Sequence, residues 1–368
     1  MNKLILLLLF STTLLSCSSL NKIPTKGQLV HYNIETTVDA QIAKYYLENY
    51  LTNQVTNPKL HQEIQIIDKE FKNLPLGRES LKLLSEKTSV DFATLYFGNK
   101  LLNKKENDSV QEQFLSNLKN IEEVKLPSNK DDFLIIMVPG LDYIDVGHLT
   151  GADLKAPIAI LRDKGLNVEF VPIHPMGSVS ANAADIVNVI KKNQDKKIIV
   201  AGPSSAGAAI HLALGKLLDK KELKSVRAWL NLGGILNGSP LVDWIDSGMT
   251  VPIYAIVRWF KDWEKETFES MKTKASQVRF KTLDVPKHIF ILNYLGLSLS
   301  GDISDFGMDK YKILRELGPN DALTLLPDAI APNSSTVLAP KSDHFFGEDP
   351  LIGKKALALL YTIFDNIH

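Results

Sequence analysis

The second two thirds of the chain predict an α/β domain with a mostly parallel, doubly wound sheet. Short apolar runs recur from residue 132 onward and alternate with amphipathic helical patterns. This alternation is typical of a parallel sheet that helices cover on both faces. The predicted strands are Phe133–Val138, Asn167–Pro172, Lys197–Ala201, Val226–Leu232, His288–Tyr294 and Ser335–Leu338. The predicted helices are Ala152–Lys164, Ala181–Lys192, Ala208–Leu218, Asp302–Glu316 and Leu351–Ile367. In such sheets the chemistry lies at the carboxyl ends of the strands.

The preceding residues, 38–125, predict a helical accessory domain. They are rich in Lys, Glu, Asn and Gln and carry apolar residues at helical spacing. The predicted helices here are Val38–Leu51, Leu60–Phe71, Arg78–Glu86, Phe92–Leu102 and Val110–Leu118. No motif in this region points to chemistry.

The first residues have the pattern of a bacterial lipoprotein signal peptide. Lys3 precedes an apolar stretch, and Leu14-Leu15-Ser16-Cys17 resembles a lipobox, so residues 1–17 are predicted to be the signal, with lipid attached to Cys17. Cys17 is the only cysteine and therefore has no disulfide partner within the chain. Residues 18–37 are expected to be a tether to the cell envelope, with a preference for the outer membrane because Ser18, not aspartate, follows the cysteine. A plain signal peptide or an uncleaved anchor is the alternative.

The charge and composition exclude several classes of function. The 42 basic and 42 acidic residues cancel, which argues against a nucleic-acid partner. No His/Asp/Glu cluster has metal-ligand spacing, and no P-loop is present, so neither a metal nor another cofactor is predicted. No segment after the signal has the roughly 18 apolar residues that a membrane span needs.

The most informative motif is the stretch from Ile198 to Ala209. A β-branched run reaches Gly202-Pro203-Ser204-Ser205 and continues as an Ala-rich helical pattern. This pattern predicts a strand–turn–helix in which a serine is exposed as a nucleophile. Ser204 is favoured, with Gly202 and Ala206 as its small neighbours, and Ser205 is the alternative. An ordinary turn, or a phosphate site at a helix N-terminus, would also fit the motif taken alone.

A nucleophilic serine of this kind needs a histidine base and a carboxylate, in the order Ser, acid, His. Of the eight histidines, only His344 and the terminal His368 follow the last predicted strand, and His344 lies in a polar loop. Asp321 is the favoured acid because it lies in a tight turn that begins at Gly318-Pro319. The remaining acid candidates are Asp302, which is the main alternative, Asp305, Asp309 and Asp328.

Two backbone N–H groups are candidates for the oxyanion hole. The first predicted strand ends in Pro139-Gly140-Leu141, where a glycine lets the next N–H turn inward. If Ser204 attacks, the donors are predicted to be the N–H groups of Leu141 and Ser205.

Residues 130–368 resemble the α/β-hydrolases, and within them the lipase and esterase branch. The resemblance is carried by the strand-Pro139-Gly140 turn, by Gly238-Ser239-Pro240-Leu241, and by the Asn320-Asp321 and Asp343-His344 turns. It implies a Ser-Asp-His triad that hydrolyses a carboxylic ester of a small molecule or a lipid. Pro139 and Ala206 depart from the usual histidine and glycine. These departures motivate the alternative of a hydrolase-fold scaffold without turnover, and acyl transfer to an acceptor other than water uses the same residues.

The connection between the fourth and fifth predicted strands is far longer than such connections require. Residues 241–286 are therefore predicted to form a cap insertion over the nucleophile. The stretch Thr250–Trp263 is apolar and aromatic, with Trp259 and Trp263 close together and Trp244 just upstream. An aromatic inner face would favour an acyl or aryl chain in the substrate. The alternative is a cap that packs on the core without contacting substrate.

Overall fold

The computed structural model describes residues 20–246 and 265–367. Cys17 with the predicted signal peptide, the aromatic stretch Thr250–Trp263 and the terminal His368 lie outside the described residues.

The described chain begins with a β-hairpin where a tether was expected. Strand β1 (Ile23–Leu29) pairs antiparallel with β2 (Tyr32–Val38) through a two-residue turn. Leu29 and Val38 are completely buried, because alternate residues of both strands face an apolar core. The prediction of a tether over residues 18–37 is therefore wrong for residues 23–37.

Residues 38–125 are helical. Their α-helices are α1 Gln41–Glu48, α2 Pro58–Phe71, α3 Arg78–Lys87, α4 Val90–Leu102 and α5 Lys105–Lys119. Side-chain caps begin two of them: the Asn57 side chain accepts the Leu60 N–H at α2, and the Ser89 side chain accepts the Phe92 N–H at α4. Such caps satisfy N–H groups that the helix itself leaves without acceptors.

A parallel sheet follows, in the strand order β4-β3-β5-β6-β7-β8. The strands are β3 Phe133–Met137, β4 Val168–Phe170, β5 Lys197–Pro203, β6 Val226–Leu232, β7 Phe290–Leu297 and β8 Ser335–Pro340. The chain passes from β3 to β4 at the edge and then returns to the other side of β3 as β5. Ligands of open α/β sheets bind at such a reversal, outside the carboxyl ends of the strands. The reversal here lies between the ends of β3 and β5.

Helices cover both faces of this sheet. They are α6 Gly147–Thr150, α7 Lys155–Asp163, α8 Val179–Lys192, α9 Ser205–Leu212, α10 Pro240–Asp246, α11 Lys265–Met271, α12 Thr273–Lys281, α13 Asp305–Leu314 and α14 Ile352–Asn366. In β5, Ile198 and Val200 join the core beneath α8 and α9, whereas Ile199 and Ala201 join the core beneath α7 and α14. Both sets are buried, which explains why the stretch from Ile198 to Ala201 is apolar at every position.

The N-terminal helices share a core with the sheet. Leu295, Leu297 and Leu338 of the last two strands belong to the same apolar cluster as the hairpin and helices α1–α4. Helix α5 lies along edge strand β8, where Gln111 Oε1 accepts the Leu338 N–H and Asn107 Oδ1 accepts the Thr336 N–H, each at 2.8 Å. Side chains of α5 thus use hydrogen-bonding groups that an edge strand would otherwise leave open to other chains. The helices of residues 38–125 therefore share a hydrophobic core with the sheet domain.

Within residues 20–246 and 265–367, no helix combines the length and the apolar character needed to cross a membrane.

Candidate active site

The junction of β5 and α9 holds Ser204 in a strained backbone conformation. Ser204 lies between the last strand residue, Pro203, and the first residue of α9, with φ 55° and ψ −123°. A non-glycine residue with such a φ costs about 1–3 kcal/mol and persists where its surroundings hold it. Here the Ser204 N–H donates to the Leu232 carbonyl at 3.1 Å, and the Ser204 carbonyl accepts the Ile235 N–H at 3.0 Å. The neighbouring strand and its loop therefore maintain the turn.

Small residues flank Ser204 because β5 and α9 nearly touch. A Cβ atom placed on Gly202 would lie 2.8 Å from Ala206 Cβ and 2.9 Å from Ile210 Cδ1. Either separation is closer than carbon atoms tolerate without a shift of one partner. The contact between Gly202 and Ala206 is the one expected if Ser204 occupies the exposed position of the turn.

Ser205, the alternative nucleophile, points into the protein. It is the first residue of α9 and only 5% exposed. Its Oγ is buried and has no hydrogen-bond partner among the described residues. Ser204 is more exposed than Ser205. The geometry therefore favours Ser204 as the reactive residue.

His344 and Asp321 form a buried pair beside the serine. His344 Nδ1 lies 2.8 Å from Asp321 Oδ2, and the backbone N–H of His344 donates to the Asp321 carbonyl at 2.7 Å. An ionised carboxylate can only accept hydrogen bonds, so the neutral ring carries its proton on Nδ1 and leaves Nε2 as an acceptor. His344 and Ser204 line one cleft. An imidazole in this tautomer can accept a proton from a hydroxyl group in that cleft.

The second oxygen of Asp321 is bound to its own turn. Asp321 Oδ1 accepts the N–H groups of Leu323 at 3.0 Å and Thr324 at 2.7 Å. Each carboxylate oxygen thus has a separate set of donors, which fixes the orientation of the group relative to the imidazole.

Asp302, the main alternative acid, is bound elsewhere. Its Oδ1 accepts the hydroxyl proton of Thr36 in β2 at 2.7 Å, and burial raises the pKa of Asp302. Asp302 therefore contacts the hairpin, which was not predicted from the sequence, whereas Asp321 is the carboxylate that contacts His344. Among the other candidates, Asp328 forms an ion pair with Arg78, with 2.6 Å between Oδ2 and Nε.

The two predicted oxyanion donors lie on opposite sides of the sheet reversal. Leu141 follows β3, and hydrogen bonds hold the backbone on both sides of it. The Gly140 N–H donates to the Ala152 carbonyl at 2.9 Å, and the Asp142 N–H donates to the Pro175 carbonyl at 2.8 Å. Among the described residues, neither the Leu141 N–H nor the Ser205 N–H donates a hydrogen bond. Both residues line the cleft that contains Ser204. Two such N–H groups can bind a negative oxygen that develops on a substrate.

The cleft has about 520 Å³ of space, its open mouth included. Its walls are mostly apolar and are formed by Leu141, Thr150, Ala152, Pro203, Ser204, Ser205, Ile235, Ser239, Val242, Met271, Leu323, His344 and Phe345. Val242 and Met271 come from the predicted cap insertion, so part of that segment reaches the site. Sequence reasoning missed both Met271, which stands alone in a charged segment, and Phe345, whose position next to His344 was an available signal.

One group of potential metal ligands exists in the part of the chain that the structure describes. His31, in the hairpin turn, lies with Asp108 and Glu112 of α5, and one ligand atom of each falls within 4.8 Å of the others. His31 Nε2 and Asp108 Oδ1 are 2.7 Å apart and form a hydrogen bond between the hairpin and the helix. None of the three residues lines the cleft.

Several solved structures are similar to this chain. A metagenomic carboxyl esterase, MGS0156, matches with a TM-score of 0.50 and 19% identity, over 66% of this chain and 78% of that one. The mature lipase BlEst2 of Bacillus licheniformis has a TM-score of 0.49 and 18% identity, over 62% of this chain and 92% of that one. EstA of Clostridium botulinum has a TM-score of 0.49 and 10% identity, over 70% of this chain and 98% of that one.

Comparison with models of known protein families finds no match, and comparison with curated proteins also finds none. The fold class is therefore established by the sheet order, the strand–helix turn at Ser204 and the match to MGS0156. These observations confirm the α/β-hydrolase fold predicted from the sequence.

Proposed function

We propose that the protein is a serine hydrolase that cleaves carboxylic esters. Ser204 is the nucleophile, His344 is the general base and acid, and Asp321 holds the imidazole. The observation that carries this proposal is the convergence in one cleft of the strained Ser204 with a histidine whose Nδ1 is bound to a buried carboxylate. Nucleophile, base and orienting acid have these relationships in serine hydrolases of unrelated folds.

In the first half of the reaction, Ser204 Oγ attacks the ester carbonyl carbon while His344 Nε2 takes the hydroxyl proton. The carbonyl oxygen becomes negative in the tetrahedral intermediate and accepts hydrogen bonds from the N–H groups of Leu141 and Ser205. The carbon–oxygen bond to the alcohol then breaks, and the alcohol leaves with the proton from His344. An acyl group remains esterified to Ser204.

In the second half, His344 Nε2 takes a proton from water as the water oxygen attacks the acyl carbon. The bond to Ser204 Oγ breaks, the proton returns to that oxygen, and the carboxylic acid leaves. Throughout, Asp321 stabilises the imidazolium that forms twice in each turnover.

The apolar walls of the cleft support an ester with an apolar acyl group. Leu141, Ile235, Val242 and Met271 present hydrocarbon to the space next to Ser204. The similar MGS0156 protein is described as a carboxyl esterase, which agrees with this choice of substrate class. Removal of apolar acyl surface from water would contribute to binding in proportion to the area buried.

A fluorophosphonate probe tests the proposal directly, because it labels an activated serine covalently. We expect the full chain to label and to hydrolyse p-nitrophenyl acyl esters, with the adduct on Ser204 in peptide mass spectrometry. Ser204→Ala should abolish both signals. The matched control is Ser205→Ala, which keeps the backbone N–H and should retain substantial activity.

An adduct on Ser205 would refute the choice of nucleophile. A folded wild-type chain that neither labels nor hydrolyses esters would refute the enzyme and leave a scaffold function. Release of the acyl group to an added alcohol, in preference to water, would identify an acyltransferase.

We also propose that Cys17 carries lipid and attaches the protein to the bacterial envelope. The support is the sequence around this single cysteine. Lipid chains confer durable membrane attachment when more than one is present. Cys17→Ala should move the protein from the membrane fraction to the supernatant and abolish incorporation of labelled palmitate. Palmitate incorporation that persists in this variant would contradict the proposal.

A further inference from the structure

The turn that carries Asp321 is joined to the loop after β6. Thr324, whose N–H binds Asp321 Oδ1, donates its hydroxyl proton to the Gly238 carbonyl at 3.0 Å. Ser239 donates its own hydroxyl proton to the Leu323 carbonyl at 2.5 Å. Both hydroxyl groups are buried, so the two loops hold each other where water does not compete. The position of the acid therefore depends on residues 237–239.

Arg78, from the N-terminal helical region, binds the loop after β6 and also Asp328, which follows the Asp321 turn. Its Nε lies 2.6 Å from Asp328 Oδ2, and its Nη2 donates to the Asn237 carbonyl at 3.0 Å. Asn237 also donates its N–H to the Asp328 carbonyl at 3.3 Å. The side chains of Arg78 and Asp328 are 20% and 6% exposed, so the ion pair is largely shielded from water. The planar guanidinium can hold two acceptors in a fixed geometry.

The same helix contacts the other end of the acid turn. A Cβ atom on Gly318 would lie 3.4 Å from the backbone nitrogen of Lys82 and 3.6 Å from the carbonyl carbon of Leu81. Gly318 also has a φ of 113°, which favours glycine. Helix α3 therefore packs on the residue where the turn begins and, through Arg78, binds Asp328, which follows the turn.

We propose that Arg78 is a positioning residue for catalysis: its contacts with Asp328 and the Asn237 carbonyl hold the Asp321 turn in the place that orients His344. The path runs from Arg78 through residues 237–239 to Thr324, and from Thr324 to Asp321. The inference rests on the proposed function of the Ser204 site. It assigns to the N-terminal helical region a part in the reaction at the Ser204 site.

Loss of the guanidinium would leave two groups without their partner. The Asn237 carbonyl would lose a donor, and Asp328 would be a buried carboxyl group without its cation. Burial raises the pKa of Asp328 to about 6 even with Arg78 present, and the charge of Asp321 also raises it. The loop at residues 237–239 and the segment that contains Asp328 would then be free to shift. A shift of about 1 Å in a catalytic group can lower the rate about 100-fold.

Steady-state kinetics on Arg78→Met and Arg78→Lys in the full chain test the proposal. We expect Arg78→Met to lower kcat about 10- to 100-fold with KM within about twofold, since the contacts orient the acid and do not touch substrate. Arg78→Lys keeps the charge but not the fork, so it should recover part of kcat. Lys100→Met, which removes an ion pair with Asp68 inside the N-terminal region, is the matched control and should leave kcat unchanged.

The double variant Arg78→Met/Asp328→Leu separates positioning from simple charge neutralisation. Replacement of a buried ion pair by apolar residues is often neutral for stability. We expect the double variant to melt close to the wild type and still to have a low kcat. Recovery of kcat together with stability would show that Arg78 only neutralises Asp328, and would overturn the proposal.

The Nδ1 proton of His344 provides a readout that does not depend on turnover. In the wild type it should give a far-downfield NMR resonance, assigned by its loss in His344→Gln, because a buried carboxylate accepts it. We expect this resonance to weaken or shift in folded Arg78→Met and to be unchanged in Lys100→Met. An unchanged resonance and a kcat within about threefold of wild type would refute the role of Arg78. Failure of the wild type to label with the fluorophosphonate would instead refute the proposed function.

Discussion

Substitution of Asp321 by Asn should disable the proposed enzyme through the tautomer of His344. Asp321 Oδ1 accepts two N–H groups, from Leu323 and Thr324, and Oδ2 accepts the His344 Nδ1 proton. An amide has one acceptor oxygen, and the two backbone donors will hold it. The NH₂ group then faces His344, so Nδ1 must become the acceptor and the ring proton moves to Nε2.

A ring protonated on Nε2 cannot take the proton of Ser204. The corresponding Asp-to-Asn change in a serine protease costs about 10⁴ in kcat, which corresponds to about 5.4 kcal/mol of transition-state stabilisation. We expect a loss of the same order here, since the His344–Asp321 pair has the same donor and acceptor. KM should change little because Asp321 does not line the cleft.

The assay is initial-rate hydrolysis of a p-nitrophenyl ester, with thermal melting to show that the variant is folded. Asp302→Asn is the matched control and should stay within about threefold of wild type, because Asp302 is bound to Thr36. A folded Asp321→Asn protein with more than a tenth of wild-type kcat would refute the reasoning. Loss of activity in Asp302→Asn but not in Asp321→Asn would transfer the role of acid to Asp302.

Two further predictions concern stability. Leu29→Ala should lower the free energy of unfolding, measured by urea titration, by about 2–5 kcal/mol, because Leu29 is completely buried in the hairpin core. The control Lys26→Ala removes an exposed side chain and should change the free energy of unfolding by less than about 0.5 kcal/mol. Equal effects of the two substitutions would mean that the hairpin is not part of the core. Burial and the nearby Asp39 carboxylate raise the pKa of Asp91 to about 7. The folded protein therefore binds the Asp91 proton more tightly than the unfolded chain does, and the stability that this proton contributes is complete below pH 4 and is lost as the pH rises to 7. Between pH 4 and 7, the free energy of unfolding should therefore fall less steeply with pH in Asp91→Asn than in the wild type. The two slopes should differ by at most about 1.4 kcal/mol per pH unit, the value for one proton. Parallel curves would contradict this assignment.

Local sequence patterns were sufficient to predict the sheet domain and the turn at Ser204. The strands are mostly apolar on both faces because helices bury both faces of the sheet, and these short apolar runs are visible in the sequence. The Gly202 and Ala206 positions flank the turn because β5 and α9 approach within contact distance, a constraint that acts over five consecutive residues. Asp321 and His344 were favoured by their places in turns that follow late strands.

The hairpin was missed because its turn has an atypical sequence. Val30, the first residue of the two-residue turn, has a φ of 50°, where Asn, Asp or Gly is the usual choice. A β-branched residue in this conformation is rare and gives no turn signal. The segment consequently resembled a polar tether, and the contact between Thr36 and Asp302 could not be anticipated.

The sequence by itself determined the elements whose information is local: the strands and helices of the sheet domain, the serine turn and the turns bearing Asp321 and His344. Only the tertiary structure decided which carboxylate meets the imidazole, which serine is exposed and what the N-terminal region contacts. The physical reason is that strand and turn preferences depend on neighbours within a few residues, whereas the Arg78–Asp328 pair joins groups 250 residues apart. Such a contact exists only once the shared core has brought helix α3 against the acid turn, and nothing in either local pattern specifies the other.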